Sequence, residues 1–303
     1  MFKEARYNIG QWEVISLKNE TGAGFEIIPE KGGCIRNLWL GQKATGLLDP
    51  LESKEEISSN PWYKQALLFP FPNRLNDGKY AFEGRQFQFP INEPDRNNTL
   101  HGFISTEQLE IGEIQTSENK ASIELKYAYE GKFEYYPFPV NLSFIFEVSE
   151  KDFTLTAQIT NSGKTSLPYG FGWHPYFLFE NTASMQVPKC ELINVNEKNI
   201  PTGKTEAFDR YEFYKEVNEP FDTCFLLPKG TDPITQAGCG DLKLEVSGDE
   251  STPFLQIFNP APEKLAIEPM TCGIDAFNNE QGLITLAPNE SRIHRCSVRI
   301  INE

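Results

Sequence analysis

Metal-binding and membrane-spanning patterns are both missing from this 303-residue sequence. It has three histidines, and none of its six cysteines forms a Cys-x-x-Cys pair. Because zinc ligands recur at close spacings, we expect no metal site. Scattered cysteines in a chain of this length favour free, mostly buried thiols in a reducing compartment such as the cytoplasm, although their even number leaves disulfides open. No apolar run approaches the about 20 residues that cross a bilayer, and the first residues lack a signal-peptide pattern.

Positive charge is also scarce. The chain has 28 lysines and arginines against 43 aspartates and glutamates, which gives a formal net charge of −15 at pH 7. A surface of this sign repels phosphate backbones and anionic membranes, so neither nucleic acid nor a membrane is expected as a partner. The composition favours a protein that acts on something small and neutral.

Helical periodicity is nearly absent, and the one candidate is a turn of helix around residues 61–68. Apolar and polar residues alternate instead, most regularly over residues 153–160, and the connections are rich in Gly, Pro, Asn and Asp. Many strands without alternating helices predict antiparallel sheets packed face to face. We therefore predict an all-β fold, a large antiparallel β-sandwich that spans residues 1–303 as one domain. Residues 24–28 and 35–40 are expected to form a hairpin.

His174 lies in the segment Tyr169-Gly-Phe-Gly-Trp-His-Pro-Tyr-Phe-Leu-Phe179. The glycines allow backbone or ligand to approach closely, and Trp173, Tyr176 and Phe177 are expected to surround the imidazole. This setting predicts a neutral imidazole, with a pKa near neutrality, held against a flat polyhydroxylated ligand. A core histidine in an aromatic-rich strand is the competing interpretation, because perturbed titratable groups are enriched at functional sites without being confined to them.

Two further segments carry candidate ligand-binding side chains. Residues 69–80 are dense in proline, which argues against a central strand, and place Asn73 beside Arg74 in a loop. A guanidinium group can bridge vicinal hydroxyls, although Arg74 would serve equally as the partner of a surface carboxylate. His101 precedes a glycine that permits close approach. His294 is in phase with the apolar face of the C-terminal strand, so we expect a structural role for it.

Two carboxylates have apolar sequence neighbours. Asp222 follows Phe221, and Glu268 lies between an isoleucine and Pro269, which is expected to end the strand. Loss of hydration raises the pKa of a carboxylate and makes it a better base near neutrality. The competing interpretation is an acid that caps a turn at a strand end.

Taken together and in order, these segments resemble the aldose 1-epimerase (galactose mutarotase) family. Each motif is unspecific alone, but the ordered set covers nearly the whole chain. The motifs are Asn73-Arg74, Gly78-Lys-Tyr-Ala-Phe82, Thr99-Leu-His-Gly-Phe103, Gly172-Trp-His-Pro-Tyr-Phe177, Phe221-Asp222 and Ile267-Glu-Pro269.

The resemblance implies the family's antiparallel supersandwich and a cofactor-independent interconversion of the α and β anomers of a free monosaccharide. It implies Glu268 as the general base and His174 as the general acid. Opening a hemiacetal requires one group to take the anomeric hydroxyl proton while another protonates the ring oxygen, which suits such a pair. The residues that the resemblance assigns to holding the sugar are Asn73, Arg74, His101, Asp222 and Gln256.

The segment after Glu268 differs from the glutamine-containing segment of well-known galactose mutarotases, so the resemblance is to a bacterial branch and leaves the preferred sugar open. Three alternatives remain. A hexose-phosphate 1-epimerase needs a cluster of Arg or Lys, and Arg85 and Arg96 lie near Arg74 in sequence, but the acidic chain shows no obvious basic cluster. A glycosidase needs two carboxylates about 5–5.5 Å or about 6.5–9.5 Å apart, which Asp222 and Glu268 would supply. The third alternative is a sugar-binding protein without turnover.

Overall fold

The computed structural model describes residues 1–302, and the paired strands within it are antiparallel. This part of the chain contains 28 strands, two short α-helices, α1 (Lys54–Ser59) and α2 (Ala276–Asn279), and two 3-10 helices at Pro29–Lys31 and Ile104–Thr106. The all-β prediction is confirmed. The first ten strands are β1 (Lys3–Ile9), β2 (Trp12–Lys18), β3 (Gly24–Ile28), β4 (Cys34–Leu40), β5 (Thr45–Gly46), β6 (Leu67–Leu68), β7 (Arg74–Asn76), β8 (Lys79–Phe82), β9 (Arg85–Gln88) and β10 (Asn98–Leu100).

The remaining strands include the longest in the molecule. They are β11 (Glu110–Thr116), β12 (Lys120–Tyr129), β13 (Val140–Ser149), β14 (Asp152–Asn161), β15 (Leu167–Tyr169), β16 (Gly172–Trp173), β17 (Tyr176–Leu178), β18 (Ser184–Gln186), β19 (Cys190–Val195), β20 (Pro201–Phe208), β21 (Lys215–Glu216), β22 (Asp222–Leu226), β23 (Ile234–Cys239), β24 (Leu242–Gly248), β25 (Phe254–Ala261), β26 (Lys264–Met270), β27 (Ile284–Leu286) and β28 (Ser291–Asn302).

Three large sheets and three two-stranded ribbons make up the fold. The five-stranded sheet has the order β1-β2-β3-β4-β5, and the nine-stranded sheet has the order β11-β12-β13-β14-β28-β24-β23-β18-β21. The eight-stranded sheet has the order β20-β19-β22-β25-β26-β16-β6, with β17 also paired to β26. The pairing of β3 with β4 confirms the predicted hairpin.

The nine-stranded sheet packs against both of the other large sheets. Phe153 on β14 contacts Phe25 of the five-stranded sheet (ring centroids 5.6 Å apart) and Trp173 of the eight-stranded sheet (5.5 Å). Along β14 the buried residues are Phe153, Leu155, Ala157 and Ile159, as the alternation predicted. Burial of the apolar face of β14 therefore helps to hold the three layers together.

A continuous apolar core runs from Phe2 to Ile300. The assignment of residues 1–303 to one domain stays a prediction. All six cysteines are free, and each is buried except Cys239, which is partly exposed. Their thiols therefore pack as small apolar side chains.

The predicted helix at residues 61–68 is wrong. The helix of this region is α1, and Ser53 and Glu56 form a capping box at its start, where the Glu56 N–H donates to Ser53 Oγ at 3.1 Å. Tyr63 and Gln65 have φ values of 52° and 57°. This left-handed backbone cannot continue a right-handed helix, so the chain turns there before it enters β6.

Pro269 does not end its strand, contrary to the prediction. Strand β26 continues to Met270, and Pro269 pairs in register with Leu255 of β25. The N–H of Ile267 donates to the Pro175 carbonyl, so the Pro269 nitrogen two residues later faces the same side. Pairing with Leu255 of β25 therefore needs no N–H at this position, and the strand continues through Pro269.

Candidate active site

All seven residues assigned to the site by the resemblance line one cavity of about 340 Å³. This volume lies within the range of about 300–1,000 Å³ that is usual for small-molecule pockets. The segments that contribute to it are almost 200 residues apart in sequence, and the fold brings them together. The seven are Asn73, Arg74, His101, His174, Asp222, Gln256 and Glu268.

Three neighbouring strands of the eight-stranded sheet supply Asp222, Gln256 and Glu268. Gln256 on β25 lies directly opposite Glu268 on β26, and Asp222 on β22 lies opposite Phe258. Residues that are opposite or two positions away point to the same face of a sheet. The register of β22, β25 and β26 therefore places these three polar side chains in one row.

His174 occupies the interruption between β16 and β17. Its backbone N–H donates to the Ala66 carbonyl at 3.0 Å, and its carbonyl accepts from Gln65 N–H at 2.9 Å. The preceding glycines permit a close approach, but of protein rather than ligand. A Cβ on Gly172 would lie 2.7 Å from Pro72 Cβ. The segment that carries Asn73 and Arg74 can therefore pack directly beside His174.

His174 Nε2 and Glu268 Oε1 are 3.4 Å apart at the buried end of the cavity. Burial raises the pKa of Glu268 well above its ordinary value, and the charge of Asp222 raises it further, while Arg74 opposes the effect. Burial lowers the pKa of His174 well below its ordinary value, and His101 adds to this decrease. Burial thus favours the neutral form of both groups. The predicted near-neutral pKa of His174 is wrong, because complete burial penalises the imidazolium.

Two buried polar atoms of this pair have no hydrogen-bond partner within residues 1–302. They are Nδ1 of His174 and Oε2 of Glu268. Buried polar atoms are nearly always paired in folded proteins, and exceptions concentrate at functional sites. The pair therefore retains hydrogen-bonding capacity for a ligand.

Hydrogen bonds connect the polar residues on the wall of the cavity. Asn73 Nδ2 donates to Gln256 Oε1 at 3.1 Å, and Gln256 Nε2 donates to Asp222 Oδ1 at 2.8 Å. Arg74 Nη2 donates to Asp222 Oδ2 at 3.3 Å. The side chain of Asp222 is 36% exposed, so the apolar setting predicted for it is wrong. The wall presents fixed donors and acceptors to a ligand with several hydroxyls.

His101 has a defined tautomer. Its Nδ1 donates to the Pro72 carbonyl at 2.7 Å, and burial lowers its pKa to about 4. A neutral imidazole with a proton on Nδ1 has an acceptor at Nε2. His101 therefore contributes an acceptor to the cavity, and its ring contacts that of His174 edge to face, with centroids 5.2 Å apart.

Aromatic rings form the other side of the cavity. Tyr176 stacks on the His174 imidazole with centroids 5.0 Å apart and planes 4° from parallel, as expected. Trp173 instead packs into the core against Phe153. Trp62 and Phe258, which the sequence reasoning did not identify, stack on one another at 5.8 Å and line the cavity. Flat apolar surfaces opposite convergent polar groups are usual in small-molecule sites.

Glu93 and Arg96 also line the cavity. The sequence analysis considered Arg96 only for the hexose-phosphate alternative and assigned no function to Glu93. Glu93 lies in an Asn-Glu-Pro-Asp segment, which is typical of a turn. Its contacts with Arg74, Arg96 and Asn98 distinguish it, and the contact with Arg74 depends on the tertiary fold.

His294 lies away from this cavity. Its Nε2 is 2.8 Å from Tyr169 Oη, and its Nδ1 is 2.6 Å from Ser251 Oγ. Both ring nitrogens are thus paired in a buried setting, which agrees with a structural role.

Neither a metal cluster nor a long apolar helix was found in the described part of the chain. Residues 1–302 contain no group of three or more His, Cys, Asp or Glu side chains placed to hold a metal ion. No helix in this range is long and apolar enough to span a membrane.

The family model of aldose 1-epimerase matches residues 13–299. The chain therefore belongs to the aldose 1-epimerase family, a class of all-β sugar isomerases, and the resemblance noted in the sequence is confirmed.

Individual relatives agree with this assignment. The uncharacterized protein YphB of Escherichia coli (strain K12) is 26% identical over 294 residues, covering 90% of this chain and 94% of that protein. A galactose mutarotase-like protein of Clostridium acetobutylicum has a similar structure, with TM-score 0.89, 23% identity and coverage of 100% and 99%. The galactose 1-epimerase of Lactobacillus acidophilus NCFM has TM-score 0.84, 15% identity and coverage of 100% and 99%. These structures confirm the mutarotase-like supersandwich.

Proposed function

We propose that this protein interconverts the α and β anomers of a free aldose without a cofactor. The observation that carries the proposal is the buried pair of His174 Nε2 and Glu268 Oε1, 3.4 Å apart in a cavity with a polar wall. Membership of the aldose 1-epimerase family supports the class of reaction. The roles of the individual residues rest on this geometry and on the chemistry of hemiacetals.

The pair carries one transferable proton. Burial raises the pKa of Glu268 and lowers that of His174, so the mechanism starts with the proton on Glu268 and an unprotonated imidazole. Its transfer to His174 yields a carboxylate base and an imidazolium acid. Glu268 then takes the proton of the anomeric hydroxyl while His174 protonates the ring oxygen. The C1–O5 bond breaks, the C1=O1 bond forms, and the pair is neutral again.

Ring closure reverses these proton transfers. Rotation about the C1–C2 bond presents the opposite face of the carbonyl to the C5 hydroxyl. His174 takes the proton of that hydroxyl as the C1–O5 bond re-forms, and Glu268 protonates O1. No proton is gained or lost over the cycle, so solvent is not required. Each assisted proton transfer contributes about 10²–10⁴-fold to the rate.

The polar wall has the complementary task of holding the sugar while C1 turns. Arg74 and Asp222 are fixed by their mutual contact, and Gln256 joins Asp222 to Asn73. His101 offers its Nε2 acceptor to a sugar hydroxyl. Because these groups are already oriented by one another, little side-chain freedom is lost when the sugar binds.

Polarimetry on freshly dissolved α-glucose and α-galactose tests the proposal. Wild-type protein should accelerate the approach to the anomeric equilibrium. Glu268→Gln keeps the shape and removes the base, so kcat should fall about 10²–10⁴-fold while sugar affinity is largely kept. Glu206→Gln, an exposed position on β20 of the same sheet, is the matched control and should leave kcat unchanged. Absence of acceleration by wild type would contradict the function. Normal turnover by Glu268→Gln would contradict the role of that residue.

A further inference from the structure

Glu93 is the most highly hydrogen-bonded carboxylate in the cavity. Arg74 donates to it from Nε, at 3.2 Å to Oε1 and 3.1 Å to Oε2, and from Nη2 to Oε1 at 3.2 Å. Arg96 Nη1 donates to Oε1 at 3.0 Å, and Asn98 Nδ2 donates to Oε2 at 2.9 Å. The Glu93 side chain is only 11% exposed.

These bonds keep Glu93 ionised. Burial alone would raise the pKa of Glu93, but the hydrogen bonds from Arg74, Asn98 and Arg96 outweigh it and lower the pKa below its ordinary value. A carboxylate with several hydrogen bonds from cations is strongly favoured in its charged form. Glu93 therefore presents a permanent negative charge to both guanidinium groups that line the cavity.

The consequence concerns Arg74 and Arg96, the only two basic side chains that line the cavity within residues 1–302. Two arginines at a sugar site are the usual means of binding a phosphate or carboxylate substituent, because the guanidinium fork matches the geometry of the anion. Here Glu93 occupies the Nε and Nη2 donors of Arg74 and an Nη1 donor of Arg96. Together with Asp222 and Glu268, Glu93 makes three carboxyl groups in the cavity, compared with two guanidinium groups.

One nitrogen of the Arg74 guanidinium group, Nη1, is available to donate to a ligand. No group within residues 1–302 accepts from its Nη1, whereas Nε and Nη2 are engaged by Glu93 and Asp222. Nη1 suits a neutral sugar hydroxyl, which needs a single donor. An anionic substituent would have to displace Glu93 or lie beside its charge, and like charges in contact are unfavourable.

We propose that Glu93 makes this site selective for neutral aldoses by occupying Arg74 and Arg96, which would otherwise bind the anionic group of a sugar phosphate or a uronic acid. The inference rests on the proposed mutarotase function and names the charge class of its substrate. Glu93 acts as a specificity residue, since it takes part in no bond change at C1. Its effect combines the orientation of Arg74 with the exclusion of negative charge.

The test compares mutarotation of glucose, glucose 6-phosphate and glucuronate by wild type and Glu93→Gln. Wild type should favour glucose over either anion by at least about tenfold in kcat/KM. Glu93→Gln should lower kcat/KM for glucose, because Arg74 is less firmly held, and raise it about tenfold for at least one anionic sugar. These opposite changes separate a specificity role from a structural role, which would lower all three values together.

Two further variants provide the controls. Glu93→Asp keeps the charge and should retain the wild-type preference for glucose. Glu26→Gln removes a matched buried carboxylate, which pairs with Lys18 at 2.7 Å and Arg36 at 2.5 Å in the five-stranded sheet, and should leave the preference unchanged. If Glu93→Gln does not fold, the wild-type comparison decides alone, because equal use of glucose and glucose 6-phosphate overturns the inference.

The outcomes distinguish this inference from the proposed function. If Glu93→Gln turns over glucose and keeps the wild-type ratio of kcat/KM for glucose to kcat/KM for the anionic sugars, the role of Glu93 is overturned. The mutarotase function is then left intact. If wild type accelerates the mutarotation of no sugar, the proposed function itself is wrong.

Discussion

His174 and His294 are both buried, and both have pKa values below the ordinary value of a histidine, yet their surroundings differ in one respect. Both ring nitrogens of His294 are paired, with Tyr169 and Ser251. His174 Nε2 is 3.4 Å from Glu268 Oε1, and its Nδ1 has no hydrogen-bond partner within residues 1–302. Burial alone therefore does not distinguish a structural histidine from a functional one. The two histidines differ in whether the second ring nitrogen has a hydrogen-bond partner.

The comparison follows from the energetics of buried polar groups. A fully paired imidazole contributes to stability, whereas an unpaired buried nitrogen is unfavourable by about 1–3 kcal/mol. At a cavity, such an unpaired atom is available to a ligand. The region around His294 is thus organised for stability, and the region around His174 for binding and proton transfer.

Among the variants that test this comparison, His174→Asn is expected to have the largest effect, which is on kcat/KM. Loss of the acid should lower kcat/KM about 10²–10⁴-fold. The melting temperature should change little, because few hydrogen bonds are lost. Polarimetry and thermal unfolding of the same preparation measure both quantities. If His174→Asn is unstable but fully active, His174 has the structural role that is assigned to His294.

The opposite result is expected from His294→Asn. This change leaves Tyr169 and Ser251 without their buried partner, so the free energy of unfolding at pH 7 should fall by about 3 kcal/mol. Mutarotation by the folded fraction should stay within about twofold of wild type, since His294 is outside the cavity. Denaturant titration and polarimetry provide the two readouts, and equal rate losses in both histidine variants would end the comparison.

The destabilisation by His294→Asn should also depend on pH. Burial lowers the pKa of His294 to about 4 in the folded protein, below its value of 6.5 when exposed. The unfolded chain therefore binds the proton first, and stability decreases as pH falls from 6.5 towards 4. At about 1.4 kcal/mol per pKa unit, this contribution amounts to about 3 kcal/mol. The difference in unfolding free energy between wild type and His294→Asn should narrow over that range. A constant difference would contradict the lowered pKa.

The smallest expected effect is that of Tyr169→Phe, which removes the hydroxyl bonded to His294 Nε2 and keeps the ring. Loss of one partner should lower the free energy of unfolding by about 1–2 kcal/mol at pH 7. Activity should be unchanged. An unchanged free energy of unfolding in this variant would contradict the contribution of that hydroxyl.

Local signals in the sequence explain what was predicted of the fold and what was missed. Alternation along β14 reports burial of one face directly, so that strand was predicted correctly. The helix was placed too late, although the Ser53 and Glu56 capping box marks its start in the sequence. Tyr63 and Gln65 adopt left-handed backbone that no local pattern signals. Pro269 continues its strand because its nitrogen faces away from β25, so that its pairing with Leu255 needs no N–H.

The sequence by itself determined the all-β class through its period of two, and the family resemblance identified all seven polar residues that meet in the cavity. Only the tertiary structure decided their chemistry. The pKa values of His174 and Glu268 move in opposite directions because packing removes water from both, and composition does not encode that burial. The place of Glu93 was likewise decided by the fold, since the charge that Arg74 presents to a ligand depends on which carboxylate lies within hydrogen-bonding distance of it.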